Sequence, residues 1–100
     1  MSQENVDIIF MNPLRFEECE ICSKYIKENK VVSINLSELD EKSAERMLDY
    51  IAGSISVTGH KMVSINNDIC MVIPSNVKFK MESNVKYIDE EEEIIKFRKK

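Results

Sequence analysis

The sequence predicts an α/β domain, an α+β two-layer sandwich with two helices on one face of a mixed sheet and the order βαβαββ(β). Three observations carry that prediction. Between Asn35 and Val57, residues Ala44, Met47, Leu48, Ile51, Ala52 and Ile55 recur at helical spacing and draw one apolar stripe. Two short runs rich in β-branched residues, Val6–Met11 and Val31–Leu36, flank a second helical pattern. Lys61–Ile65 and Ile69–Ile73 flank the turn residues Asn66-Asn67-Asp68 and read as a β-hairpin.

Taken in order, Met1–Asn5 is a polar lead-in, and Val6–Met11 is the first strand, closed by the turn signal Asn12-Pro13. Phe16–Asn29 follows as a helix. Glu17, Glu18 and Glu20 suit its positive N-terminal end, and Lys24, Lys27 and Lys30 suit its C-terminal end. Cys19, Cys22 and Ile26 form its inward line. Val31–Leu36 is the second strand, and a helix of this length between two strands predicts a parallel pair with a right-handed crossover. The long helix comes next, capped by Ser37 or Asp40, both good N-cap types.

That helix reads as two-sided. Opposite its core stripe lie Arg46, Tyr50, Gly53, Ser54 and Val57, a line of small and adaptable residues. Glycine inside a helix costs about 1 kcal/mol relative to alanine. Gly53 either permits close approach of another backbone or marks the last, fraying turn. Thr58-Gly59-His60 ends the helix and the hairpin follows. Ile69–Ile73 is apolar at every position, so both its faces are expected to be covered. Helices cover one, and a tail segment or a second molecule must meet the other, through outward positions expected at Cys70 and Val72.

After Pro74 a short repeat runs Ser75-Asn76-Val77-Lys78-Phe79 and then Ser83-Asn84-Val85-Lys86-Tyr87. The first copy reads as the last sheet strand and the second as a looser continuation. Asp89–Lys100 is acidic first and basic last, the pattern of a short C-terminal helix or of a solvated tail. The domain division is thus 1–5 for the lead-in, 6–81 for the core and 82–100 for a charged C-terminal segment.

Composition narrows the function. With 100 residues, 43% of them hydrophobic and only two glycines and two prolines, the chain reads as one globular domain. A net charge of −4 with no basic stripe argues against nucleic acid. Three cysteines and no secretory leader point to a reducing, cytoplasmic setting. Cys19-Glu20-Ile21-Cys22 has C-x-x-C spacing, but a redox pair belongs at a helix start where the dipole lowers the thiol pKa. Here both thiols share the inward line with Ile26 and read as core filler. A structural zinc site would need two more ligands at useful spacing, and only His60 and Cys70 remain. His60 reads as a turn residue, Glu90–Glu93 as a solvated charge run, and no glycine-rich phosphate loop is present. No cofactor or catalytic residue is assigned.

Several blocks in the right order carry a family resemblance. They are Asn35-Leu36, Asp40, Ala44-Glu45-Arg46, Asp49-Tyr50-Ile51-Ala52-Gly53 and Val72-Ile73-Pro74-Ser75-Asn76-Val77. Over roughly Ile9–Phe79 the chain resembles the SepF cell-division proteins, which read NL, then D, A-R-L-x-D-F-x-x-G and a hydrophobic strand ending L-x-P-x-x-V.

The resemblance implies a non-enzymatic scaffold at the division site. Such proteins form homodimers and higher polymers, bind the C-terminal tail of the tubulin-like protein FtsZ, and tether it to the membrane. It places the dimer contact around Gly53, with Arg46, Tyr50, Ser54 and Val57. It places tail contacts near the hairpin, at Ser64, Cys70 and Val72. Ser64 stands where the family has a basic residue and Cys70 where it has an aromatic one. The family's N-terminal amphipathic anchor helix has no counterpart in MSQENVD, as expected of a core alone or of a relative that reaches the membrane by another route. The first rival is a STAS-type regulatory module with Ser43 as its phosphorylatable serine, although the usual Asp-Ser pair is absent. The second is a thiol enzyme using Cys19 and Cys22.

Overall fold

The computed structural model of the chain describes residues 5–88. Five strands, β1 (Ile8–Met11), β2 (Val31–Asn35), β3 (Lys61–Ser64), β4 (Ile69–Ile73) and β5 (Lys86–Tyr87), form one sheet in the order β1-β2-β4-β3-β5. Only β1 and β2 run parallel; every other neighbouring pair is antiparallel. Two helices, α1 (Cys19–Lys27) and α2 (Glu41–Ile55), share one core with the sheet, and α1 packs against α2 and β2. The chain is therefore the α+β two-layer fold expected, with a mixed sheet.

Local chemistry explains where each helix stops and starts. A 3-10 turn at Phe16–Glu18 leads into α1, and the Glu18 carboxylate accepts from the Leu14 N–H at 2.7 Å. At the other end Asn29 takes φ 64°, with Asn29 N–H donating to the Ile26 carbonyl and Lys30 N–H to that of Tyr25. Those two bonds form a Schellman closure, which satisfies carbonyls the helix leaves open. Asp40, and not Ser37, caps α2: its carboxylate accepts the Ser43 N–H at 2.7 Å, and this bond holds its pKa below the ordinary value. The predicted stripe is the buried one. Ala44, Met47, Leu48, Ile51 and Ile55 are buried, and Ala52 is half-buried against the same core.

Register assigns the sheet's two faces. Ile9, Val32, Val72 and Met62 lie side by side across four strands, and Met11, Ile34, Cys70 and Ser64 form the next row. Those are the helix-facing rows, with Val32, Ile34, Cys70 and Val72 fully buried. The expectation that Cys70 and Val72 point outward is thereby corrected. A strand that is apolar at every position carries no phase, and pairing with Val32 and Ile34 turns Cys70 and Val72 toward the helices. The outward residues of β4 are Ile69, Met71 and Ile73.

The end of the sheet also differs from expectation. The first repeat copy is not a strand: Val77 N–H donates to the Pro74 carbonyl, and the turn carries the chain away. The second copy returns antiparallel along β3 as β5, and Ile88, 3% exposed, enters the core while its N–H donates to the Met62 carbonyl. The C-terminal helix considered for Asp89–Lys100 lies outside the described residues.

The cysteines are core residues. Cys19, Cys22 and Cys70 are all free and buried, and the Cys22 thiol lies 3.4 Å from the Met11 sulfur. Burial raises each thiol pKa, to about 12 for Cys22 and Cys70. A redox pair needs the opposite shift, so the thiols act here as small hydrophobes.

Two expectations follow for stability. Ile51→Ala removes a fully buried side chain at the centre of α2 and is expected to cost about 2–5 kcal/mol, read from urea unfolding midpoints. The raised thiols make the fold sensitive to alkali. Below the ordinary value of 9.0 both states are protonated, while above it only the unfolded chain ionises. Stability should fall between pH 9 and about 12 by up to about 1.4 kcal/mol per unit for each thiol. Unfolding curves for the parent and for a Cys22→Ala, Cys70→Ala double variant test this, the variant showing the shallower alkaline slope.

Candidate protein-binding interface

The outward side of α2 is an open surface with one aromatic cluster. The Arg46 guanidinium stacks over the Phe16 ring at 3.9 Å, and Tyr50 meets the same ring edge-on, with centroids 6.3 Å apart. Cation–π and edge-to-face contacts of this kind hold long side chains in place on a surface. Phe16 is the residue sequence reasoning missed here. It was read as a helix start, and its role depends on a 3-10 turn that brings it beside α2.

One turn further along, Gly53 is exposed, and nothing lies within 4 Å of where its Cβ would be. The glycine therefore answers to no contact inside the chain. Ser54 donates its hydroxyl back to the Tyr50 carbonyl at 3.0 Å, and Val57 is 89% exposed. Four of the five predicted residues, Arg46, Tyr50, Gly53 and Ser54, thus share the outer side of α2, with Ser54 half-buried at its border, while Val57 lies beyond the helix in the turn after Ile55. Tyr50 also borders an open groove of about 460 Å³ between the helices, lined by Glu20, Ser23, Lys24, Lys27 and Glu28.

The sheet's outward face is the second open surface. The strand register aligns Phe10, Ser33, Met71, Val63 and Tyr87 across all five strands, so one mainly apolar row crosses the whole sheet. Exposure is graded along it. Val63 is buried, Met71 half-buried and Phe10 80% exposed, with Ile8 beside it at 48%. At the β5 end Phe79 packs edge-on against Tyr87, with centroids 6.3 Å apart. Ile8 and Phe10 could have been found in the sequence: Ile8–Met11 is apolar at every position, the signal already used for Ile69–Ile73.

The structure does not bring Ser64, Cys70 and Val72 to one accessible surface. Cys70 and Val72 are buried under the helices, and Ser64 is half-buried with its hydroxyl donating to the Asn66 carbonyl at 3.2 Å. What the hairpin does expose is its tip. Ile65 is 38% exposed, and the Asn66 side chain accepts from the Asp68 and Ile69 N–H groups, which fixes the turn. His60 is more than a turn residue. Its Nε2 meets the Ile26 carbonyl at 3.2 Å and ties the start of β3 to the end of α1.

Comparison with known proteins places this geometry in a family. A family model described as cell division protein SepF matches residues 8–79. The cell division protein SepF of Clostridium novyi (strain NT) is 32% identical over 76 residues, covering 75% of this chain and 49% of that protein. Its counterpart in Desulfitobacterium hafniense (strain Y51) is 25% identical over 76 residues, 76% of this chain and 50% of that protein. The chain thus spans about half the length of the curated relatives it matches. Among solved structures, a SepF-like protein from Archaeoglobus fulgidus superposes with a TM-score of 0.68 at 17% identity, over 78% of this chain and 100% of that one. That likeness speaks for the fold, and no helix among the described residues is long and apolar enough to cross a membrane. With residues 8–79 matched by the family model, the chain belongs to the SepF family of cell division proteins.

Proposed function

We propose that this chain is a non-enzymatic division scaffold that associates with itself through two faces and holds the C-terminal tail of FtsZ at the division site. The observation that supports it best is the pair of opposite open faces. Phe10 and Ile8 stand out from the sheet, and Tyr50 and Val57 flank an unobstructed Gly53 on α2. Each face can meet its own copy about a two-fold axis. Two such contacts on opposite sides of a flat sandwich build an extending polymer, whereas either alone stops at a dimer. The Arg46–Phe16–Tyr50 cluster fits the α2 contact because its side chains are already held in position.

The FtsZ tail is assigned to the hairpin tip, which lies at the end of β2 where Leu36 N–H donates to the Asp68 carbonyl. Ser64 and the exposed Ile65 supply contact there, while Cys70 and Val72 support the hairpin from below without touching the tail. The absence of the family's basic side chain at Ser64 predicts a weaker hold on the tail than in relatives that keep it.

Two variants separate the faces. Gly53→Lys starts from a Cβ position with nothing within 4 Å, on the exposed side of the helix, so it should fold and melt cooperatively while its solution mass drops, read by light scattering beside far-ultraviolet circular dichroism. Gly53→Ala should be mild, since it adds one methyl and recovers about 1 kcal/mol of helix propensity. An undiminished association of the lysine variant would move the contact away from α2. Met71→Glu places a charge in the outward sheet row and should weaken the other association, leaving the α2 contact intact. Calorimetry with a synthetic FtsZ tail should show binding to the parent that falls in Gly53→Lys if the tail site spans the two-fold seam. Absence of any binding to the parent would remove FtsZ from this reading.

A further inference from the structure

The hydrogen-bond phase of the parallel pair leaves one edge of the sheet open. β1 is an outermost strand, with β2 as its one neighbour in the sheet. Ile8 lies opposite Val31 and Phe10 opposite Ser33, and the Val31 N–H donates to the Asp7 carbonyl at 2.9 Å. Along a strand the main-chain groups point alternately to one side and the other, so residues bonded to a neighbour alternate with residues that are not. Asp7, Ile9 and Met11 therefore turn their main-chain groups toward β2, and the N–H and C=O of Ile8 and Phe10 point off the edge. Among the described residues, no hydrogen bond takes those groups.

The same two residues carry the most exposed apolar side chains of the five strands, Phe10 at 80% and Ile8 at 48%. Edge strands are ordinarily blunted by a lysine, a proline or a bulge. Ile8–Met11 has none of these: it is apolar throughout and pairs with β2 residue for residue. Both ends of the open stretch are defined. After Met11 the chain leaves the sheet at Asn12-Pro13, with Pro13 buried. Before Ile8, the Val6 carbonyl is already taken by Lys30 Nζ.

We propose that the β1 edge is a further contact between copies of this chain, in which two β1 strands pair antiparallel about a two-fold axis through Ile9. It goes beyond the two faces proposed above, because main chain rather than side chain makes it. In this register Ile8 lies opposite Phe10 of the second copy, and Phe10 opposite that copy's Ile8, so each of the two pairs closes two hydrogen bonds with the free groups. On the outward face each Ile8 then sits beside a phenylalanine ring, a favourable cross-strand pair. Asp7, the nearest charged residue, meets Met11 of the other copy and not its like. A shift of two residues is worse in either direction. One sets Ile8 against Asn12, and the other sets Phe10 against Val6, whose carbonyl is occupied. An unrelated extended peptide would find a ladder only two residues long. A second copy brings the rest of its sheet as well. The row from Tyr87 through Val63, Met71 and Ser33 to Phe10 then runs on into Ile8 and Val31 of the other copy, and the outward apolar face becomes continuous across the seam.

Hydrogen exchange followed by NMR tests this on the full-length chain, one amide at a time. The Ile9 and Met11 amides, bonded to β2, should exchange slowly at every concentration. The Ile8 and Phe10 amides should exchange fast in dilute solution and slow by about tenfold or more as concentration rises and the pair forms. Protection of those two that is the same at every dilution would mean the edge is covered within its own chain, and would overturn the proposal. So would their lack of protection at the highest concentration, whether or not the chain associates by another surface. Two variants separate main chain from side chain. Ile8→Pro removes the off-edge donor and none of the bonds to β2, at the first position of an edge strand, where proline is tolerated. It should leave the α2 amides unchanged and return the Phe10 amide to fast exchange at the concentration that protects it in the parent. Ile8→Thr keeps the N–H and the branched shape and should retain most of that protection. Equal loss in the two variants would assign the contact to side chains and overturn the ladder. Exchange in the parent decides the matter even where the proline variant does not fold. The α2 contact is read separately through Gly53→Lys, so a failure here leaves the scaffold reading in place.

Discussion

Val32 and Ile34 of β2 lie opposite Val72 and Cys70 of β4, and all four side chains are fully shielded from water. Both helices depend on that quartet. Ile26 of α1 and Met47, Leu48 and Ile51 of α2 join the same cluster, in which the quartet forms the middle of the sheet's floor between Ile9 and Met11 of β1 and Met62 of β3. The pairing also fixes what the molecule shows to others. A slip of one residue in this register would bring Ile69, Met71 and Ile73 under the helices and turn Cys70 and Val72 out. The two thiols near this floor fit it because they are small and, held protonated by burial, carry no charge.

Legibility in the sequence followed periodicity. The α2 stripe was readable because polar residues interrupt it at helical spacing, and those gaps give it a direction. The same contrast made the opposite side visible, down to Gly53. Where contrast vanished, phase vanished with it. Ile69–Ile73 and Ile8–Met11 are each apolar at every position, and nothing within either run says which residue faces which layer. The two Ser-Asn-Val-Lys copies failed for another reason. They are nearly identical locally, and only the turn at Pro74–Val77 and the long-range bond from Ile88 to Met62 decide which becomes β5. The insertion of β4 between β2 and β3 has no local signature.

The contrast between the two open faces has physical content. The α2 side is sparse and shaped, with one ring cluster, a glycine and a single projecting valine. The sheet side is broad and graded, from buried Val63 to fully presented Phe10. A shaped surface discriminates among partners by fit, and a broad apolar one supplies area. A scaffold that must assemble and also choose what it holds gains from keeping the two on separate layers, where a change in one leaves the other's geometry intact.

Burial of Ile88 has a consequence for how the protein is made. A ribosome releases the chain from its N-terminal end, so β1, α1 and β2 emerge first and can form their local parallel unit. The space between β2 and β3 stays unfilled until β4 arrives, and the side of Met62 stays wet until Ile88 has left the exit tunnel. During that interval the apolar strands β2 and β4 are presented to the cell with an incomplete roof. Synthesis through the stretch from β3 to Ile88 therefore bears directly on the yield of this fold.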